Sequence, residues 1–424
     1  MEERVIRVKK SSFATNIVAI IFSLRCLYYV WLAFDHLEYS PIYYYFMTAV
    51  RYIAVVAGVF YIIFQKKIEF RNLFLLTPLV FYFLILYFHT YGGYQGTYLD
   101  ELICIGCFLL MDSSMKKRIL FFFYKIVVYS SLISIVLYIL YSLNVPVGFK
   151  SLPFLTDEGL SSLHTEYQQW FIFAFLGNRK YSLIRLCGLF NEPGGLATVC
   201  SLLYVIMYKT SNKFEKTVLL VSIFLSFSVA GYLLILFFYA LLLLRKNWKY
   251  SLIVVLFIVA FLLLPYIDFK NTLINKFVQR FAITSEGLAG NNRTDAIFDA
   301  DFETFLHSQS LLFGYGARYS PAGSDSSTYK IFILQFGFLG FALYFGMWLF
   351  LSLFRAKKNY HAFLLIVVFF LSIYQRPMTM INSYGYLIMF GGIEWIINYH
   401  VSFSKRMFKR RNDTPCVAGG VTNA

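Results

Sequence analysis

Residues 217–244 read TVLLVSIFLSFSVAGYLLILFFYALLLL, and the number of times this stretch crosses a bilayer decides the fold. Its 28 residues exceed the roughly 20 that one span needs. Ser226, Ser228 and Gly231 are weak helix formers near its middle, so two short spans joined by a break are the alternative. The flanking charges choose between the two. As two spans, the stretch leaves seven basic clusters on one side, at 4–10, 66–71, 116–118, 209–216, 245–249, 355–358 and 405–411. These clusters hold 24 of the 38 Lys and Arg. As one span, it moves RKNWK (245–249) across the membrane and brings the 62-residue segment 267–328 into the cytoplasm. Short loops beside span ends obey the positive-inside rule best, so two spans are expected, with a helix break at Ser228–Gly231.

Working outward, hydrophobic residues make up 59% of the 424 positions and charged residues only 14%. A soluble domain is about half apolar and about a quarter charged, so the chain is expected to be all-α and a polytopic integral membrane protein. About 12 transmembrane helices are expected, near 13–34, 41–64, 73–88, 98–111, 119–143, 190–208, 217–229, 231–244, 251–267, 329–354, 360–375 and 385–400. They form a single transmembrane domain over 1–424. Both termini are expected to be cytoplasmic, with the first span an uncleaved anchor. Topology accounts for the net charge of +16, and nucleic acid is not an expected partner.

Two long stretches, 144–189 and 267–328, then face the extracytoplasmic side, where the work of the protein is expected. In the second, NNRTDAIFDADFETFLHSQ reads as a helix started by Asn291 or Asn292. Its apolar stripe is Ile297, Phe298, Phe302, Phe305 and Leu306, at the spacing of one helix face. In the first, TDEGLSS and the nearby Trp170-Phe-Ile-Phe read as an interfacial segment.

The densest chemistry lies in RLCGLFNEPGGLA, residues 185–197. A cation, a carboxylate and a Pro-Gly-Gly break stand together at the mouth of a span, where ionisable groups mark function. Glu192, one residue before Pro193, is either a helix cap or a catalytic base. Arginine predominates among the outward cations, and its planar fork suits phosphate. Arg185, Arg293 and Arg318 lie beside Gly or Asn turns that could add backbone donors. Arg280 and Arg376 are further outward candidates, whereas Lys150, Lys180, Lys270 and Lys276 read as headgroup contacts. Arg25 and Arg51 sit in the first two spans with Glu394 as the only comparably deep acid, so at least one is expected to face a polar cavity. Asp100 and Glu101 are shallower partners. Cys104 and Cys107 form a CxxC inside an apolar run, without a second pair, and read as packing residues. The histidines lack metal-ligand spacing, so no metal and no cofactor are expected.

RLCGLFNEPGGLA resembles the RxxGxFxEPxxxA signature of the O-antigen polymerase and ligase superfamily. Other segments agree in order over roughly 180–400: the Ser-rich break SFSVAGYLL, the loop arginine in NNRTDA, the Gly-x-Gly of FGYGARY, the junction SSTYKIFILQFGFLGFALYFG and the loop YQRPMTMIN at 374–382. The resemblance implies a metal-independent glycosyltransferase of the bacterial inner membrane. Its donor would be an undecaprenyl diphosphate-linked oligosaccharide, and membrane lipid and a chain-length regulator would be partners. In the ligase pattern a His stands where counting back from Gly337 finds Ser326, followed by Ser327. The frame is kept and the base is missing, which favours a polymerase over a ligase. Glu192, Arg185 and Arg293 are expected to be catalytic, with Arg318, Arg280, Arg376 and Arg51 holding diphosphate or glycan. A lipid-linked oligosaccharide flippase is the alternative from another class; such transporters usually show repeated halves and a midplane site, and the long, polar, one-sided loops and the Glu-Pro-Gly signature argue against it.

Overall fold

The computed structural model describes residues 13–27, 41–65, 68–88, 99–153, 166–177, 183–250, 296–316, 328–374 and 376–399, with 256, 259, 263–267, 275, 278–279, 283–284, 287–288 and 319. Helices dominate. In chain order they are α1 (Phe13–Leu27), α2 (Pro41–Phe64), α3 (Phe70–Leu73), α4 (Thr77–Phe88), α5 (Leu99–Leu110) and α6 (Ser113–Ser142). There follow α7 (Pro193–Met207), α8 (Lys213–Leu225), α9 (Val229–Lys246), α10 (Ala296–Leu306), α11 (Lys330–Ala356), α12 (Tyr360–Ile373) and α13 (Ser383–Tyr386). The last of these passes through a π-helical turn, Leu387–Gly391, and stays helical to 399. Five helical segments are long and apolar enough to cross a membrane: Tyr45–Phe64, Phe70–Tyr87, α6, α9 and α11. α1, α7 and α12 are shorter apolar helices. Most of the expected span 251–267 lies outside the described residues.

Residues 217–244 fold as two helices. α8 stops at Leu225 because Ser226 turns its hydroxyl onto the Ile223 carbonyl, 2.6 Å away, and Phe227 adopts a left-handed conformation. The break therefore falls at Ser226–Ser228, a few residues before the expected one, and Gly231 lies inside α9. There it serves close packing: a Cβ on Gly231 would come within 2.6 Å of Ala197 on α7. α9 runs alongside α7, with Ser228 near Gly194 and Tyr239 against Tyr204. α8 runs the other way, since Lys216 donates to the Tyr208 carbonyl at 3.0 Å while Ser226 lies by the start of α7. The pair is a hairpin folded over α7.

The first long loop carries a structure that periodicity did not reveal. Its strands β1 (Lys150–Pro153), β2 (Glu166–Trp170), β3 (Phe173–Leu176) and β4 (Arg185–Gly188) form an antiparallel sheet in sequence order. Trp170-Phe-Ile-Phe thus forms a hairpin corner, and the mostly helical fold carries one small sheet in this loop. Phe171 supplies the positive φ of that corner, where Gly or Asn is usual, so the turn has no sequence signature. Phe149 and Phe175 pack the sheet onto Tyr138 and Tyr141 near the end of α6. β4 leads straight into the turn before α7.

The second long loop is anchored on α11. This helix breaks at Gly337 (φ 70°, ψ 173°), which frees carbonyls from the helical ladder. The Leu334 and Gln335 carbonyls accept the Tyr315 and Gly316 amides at 2.7 and 3.0 Å, while the Leu339 amide donates to Leu312 at 3.1 Å. A side chain on Gly337 would collide with the Leu312 carbonyl. The Gly-x-Gly segment and the kinked helix are one interlocked device. Beside it, α10 buries Phe298, Phe302 and Phe305 against Ile331, Ile333 and Leu334. Three residues of the expected stripe face inward and Leu306 is partly buried, but Ile297 is exposed. The expected start at Asn291 or Asn292 lies outside the described residues. The Tyr319 hydroxyl donates to Asp301 at 2.8 Å. Burial first, and then the Asp301 carboxylate, push this phenol up to about 12, so it remains a donor at neutral pH.

Candidate functional site

The site is built where β4, the start of α7, the α8–α9 turn and the loop before α13 meet. Pro193 takes the first position of α7, where its missing N–H costs nothing. Glu192 precedes it with extended backbone (φ −139°, ψ 147°), and its side chain makes no cap. Its carboxylate instead accepts a hydrogen bond from Arg376 Nη2 at 2.7 Å. The guanidinium lies across the first turn of α7: a Cβ on Gly194 would stand 2.6 Å from Nη2. That close approach is the physical reason for a glycine directly after Glu-Pro.

Arg185, at the start of β4, reaches the hairpin turn. Its Nε donates to the Ser226 carbonyl at 3.1 Å, one of the groups left over where α8 ends. Ser228 closes the same corner, with its hydroxyl oxygen 3.5 Å from where a Cβ on Gly194 would stand. The Tyr167 hydroxyl on β2 donates to the Asn191 carbonyl at 2.5 Å and ties the sheet to the Asn-Glu-Pro turn. Cys187 lies beneath, and burial pushes its thiol well above the ordinary range, which keeps it protonated and unreactive.

Arg376 stands on a closely held loop. Its amide donates to the Ser372 carbonyl at 3.0 Å, and its own carbonyl accepts the Thr379 amide at 3.1 Å. The Tyr344 hydroxyl on α11 donates to the Met380 carbonyl at 2.8 Å, and Thr379 and Tyr384 share a hydroxyl hydrogen bond of 2.9 Å. Thr379 and Met380 are fully buried.

A second cluster gathers four charges from α1, α2 and α5. Arg25 pairs with Asp100 at 2.9 Å and also with Glu101, and Arg51 pairs with Asp100. Arg25 is completely buried. Arg25 is enclosed with Asp100 and Glu101, whereas Arg51 lines a cavity of about 500 Å³ together with Asp100 and Tyr52, so of the two deep arginines it is Arg51 that faces a cavity. Glu394 is engaged elsewhere, with Arg355 at 3.2 Å and the Ser113 hydroxyl at 2.8 Å.

Of the residues singled out in the sequence, Arg185, Glu192 and Arg376 converge, and Arg51 joins the second cluster. Arg280, Arg293, Arg318, Ser326 and Ser327 lie outside the described residues. The sequence placed Arg185 nearest to Glu192 and Arg376 only among the outward candidates; in the fold Arg376 holds the carboxylate. Cys104 and Cys107 are buried and unbridged, with Cys107 set against Gly58.

No family model, curated protein or solved structure matches the chain.

Proposed function

We propose that this chain is a polysaccharide polymerase of the O-antigen type. It would be a membrane glycosyltransferase that joins polyprenyl-diphosphate-linked repeat units on the extracytoplasmic face. The observation that carries this reading is the Glu192–Arg376 pair at the mouth of α7, with Arg185 at the adjoining turn. An acceptor hydroxyl attacks the anomeric carbon of the donor glycan, forming the new glycosidic C–O bond. The bond to diphosphate breaks, the leaving oxygen takes its electron pair, and the hydroxyl proton passes to Glu192. Diphosphate is a good leaving group once its charge is neutralised, and fixed arginines aimed at that charge need no metal. Arg185 and Arg376 fill this role, with Arg293, Arg318 and Arg280 as further candidates. Arg376 is shared in this scheme: an arriving diphosphate draws its fork away from Glu192, which frees the carboxylate to act as base only when donor is bound.

Charge distribution supports the orientation. Lys116, Arg118, Lys213, Lys216, Arg245 and Lys246 lie at the end of the bundle opposite Glu192, which the positive-inside rule makes cytoplasmic. The inner membrane, about twelve spans and cytoplasmic termini follow in this proposal. The test is the lipopolysaccharide ladder of a deletion strain. A single repeat on the lipid A-core is expected, with the ladder restored by the intact gene. Bare core would replace the polymerase by a ligase, and lipid-linked repeats trapped on the cytoplasmic side would replace it by a flippase.

A further inference from the structure

We infer that Glu101, on α5 and remote in sequence from the site, is a positioning residue for Arg376. The inference rests on the proposed reaction for its effect on activity, but not for its effect on the loop. Glu101 is 3% exposed, and its Oε1 accepts the Ser383 backbone amide at 2.6 Å. Ser383 opens α13, and its amide is one of the orphan donors of a helix start. The preceding Asn382 makes no side-chain cap, so Glu101 performs across the bundle what a local cap does elsewhere.

This contact fixes the downstream end of the loop 374–382. From Ser383 the constraint runs back to Arg376 in short steps. Tyr384 shares its hydroxyl hydrogen bond with Thr379, and Gly385 lies directly against the Thr379 carbonyl. The Thr379 amide in turn donates to the Arg376 carbonyl at 3.1 Å.

The charge cluster explains why a carboxylate can hold this place. Arg25 pairs with Glu101 from α1, and Asp100 bridges Arg25 to Arg51 on α2. A buried ion network of this kind is weak as a source of stability, and apolar residues of similar volume often serve as well. What apolar residues cannot supply is an acceptor aimed at one amide. The geometry therefore gives the network a directional role. It holds one carboxylate oxygen at the start of α13, and through it the fork on Glu192.

Glu101→Asp tests this, because it keeps the charge for Arg25 but shortens the reach to Ser383 by one methylene. Met380→Cys, buried in the parent loop, reports loop closure by thiol labelling of the full-length protein in native membranes. Val127→Cys, buried on α6, serves as the control for general loosening. In Glu101→Asp, labelling at Met380→Cys should rise at least about fivefold with Val127→Cys still protected. Turnover should fall about tenfold, and that loss should vanish in an Arg376→Ala background, as expected for two residues acting through one group. A Met380→Cys that stays closed overturns the assignment, as does opening at both cysteines or an activity loss that simply adds to Arg376→Ala. Selective opening in a chain that polymerises nothing in any variant would keep the positioning role and remove the proposed reaction.

Discussion

At one end of the bundle Arg376 holds Glu192, and at the other Arg355 holds Glu394. Both pairs tie the closing third of the chain to an acid, yet their surroundings differ. The side chains of Arg355 and Glu394 are 5% and 10% exposed, and the Ser113 hydroxyl and Asn398 amide also reach the Glu394 carboxylate. Arg355 further meets Asn72. Glu192 is 39% exposed in its side chain, and its guanidinium partner sits on a loop. A carboxylate enclosed by fixed donors serves the fold. One that stays well exposed beside its arginine can exchange partners when an anion arrives.

The largest expected effect separates the two ends by rate. Glu192→Gln should lower polymerisation per folded molecule about 10²–10⁴-fold, the range for a lost general base, with normal abundance in the membrane. Because its side chain makes no cap, the melting temperature should barely move. Purified Glu192→Gln that extends lipid-linked repeats within a few-fold of the parent would reduce this residue to a helix start.

The inner pair should respond in the opposite sense. Arg355→Ala leaves a buried carboxylate uncompensated, at a cost of about 3–5 kcal/mol, so membrane abundance should drop sharply while turnover per folded molecule is kept. Quantitative blotting beside an assay on detergent-extracted protein reads both. Normal abundance with lost turnover would abolish the contrast between the two ends.

Smaller effects sharpen the open end. Arg376→Lys keeps the charge and loses the planar fork, so turnover should fall about 10–100-fold, as for one charge-assisted hydrogen bond. Arg185→Ala should fall at least as far, since it also releases the α8–α9 turn. Measured kcat and donor KM for both variants decide it; two variants that polymerise like the parent remove Arg185 and Arg376 from the diphosphate site. The smallest effect belongs to Lys150, exposed on β1, where substitution by Ala should leave the rate unchanged. As a cysteine, Lys150 should label from outside intact cells and Lys213, at the start of α8, should not. The reverse labelling pattern inverts the proposed orientation.

Long-wavelength features were legible in the sequence because hydrocarbon imposes them. The apolar runs marked α2, α6, α9 and α11, and clustered lysines and arginines argued for the break inside 217–244. Glu192 and Arg185 stood out because charges beside Pro-Gly-Gly at a span mouth are costly without a purpose. What stayed hidden depends on contacts distant in sequence or on backbone geometry. The sheet of 150–188 hid because its corner residue is Phe171 rather than glycine. Glu101 read as a shallow partner for an arginine, and only the fold brings it to Ser383. The Glu192–Arg376 pair spans 184 residues, which no local pattern reports.

That separation also sets when the site can come into being. Synthesis delivers Glu192 to the membrane long before Arg376, and domains form in the order in which they emerge. Until the loop after α12 is made and seated, α7 and its hairpin exist with the carboxylate lacking this arginine. On the proposed function, the protein would be inactive until that step. Under the proposed reaction a nascent chain facing lipid-linked sugars would be unable to consume them, and competence would arrive late, with the closing helices.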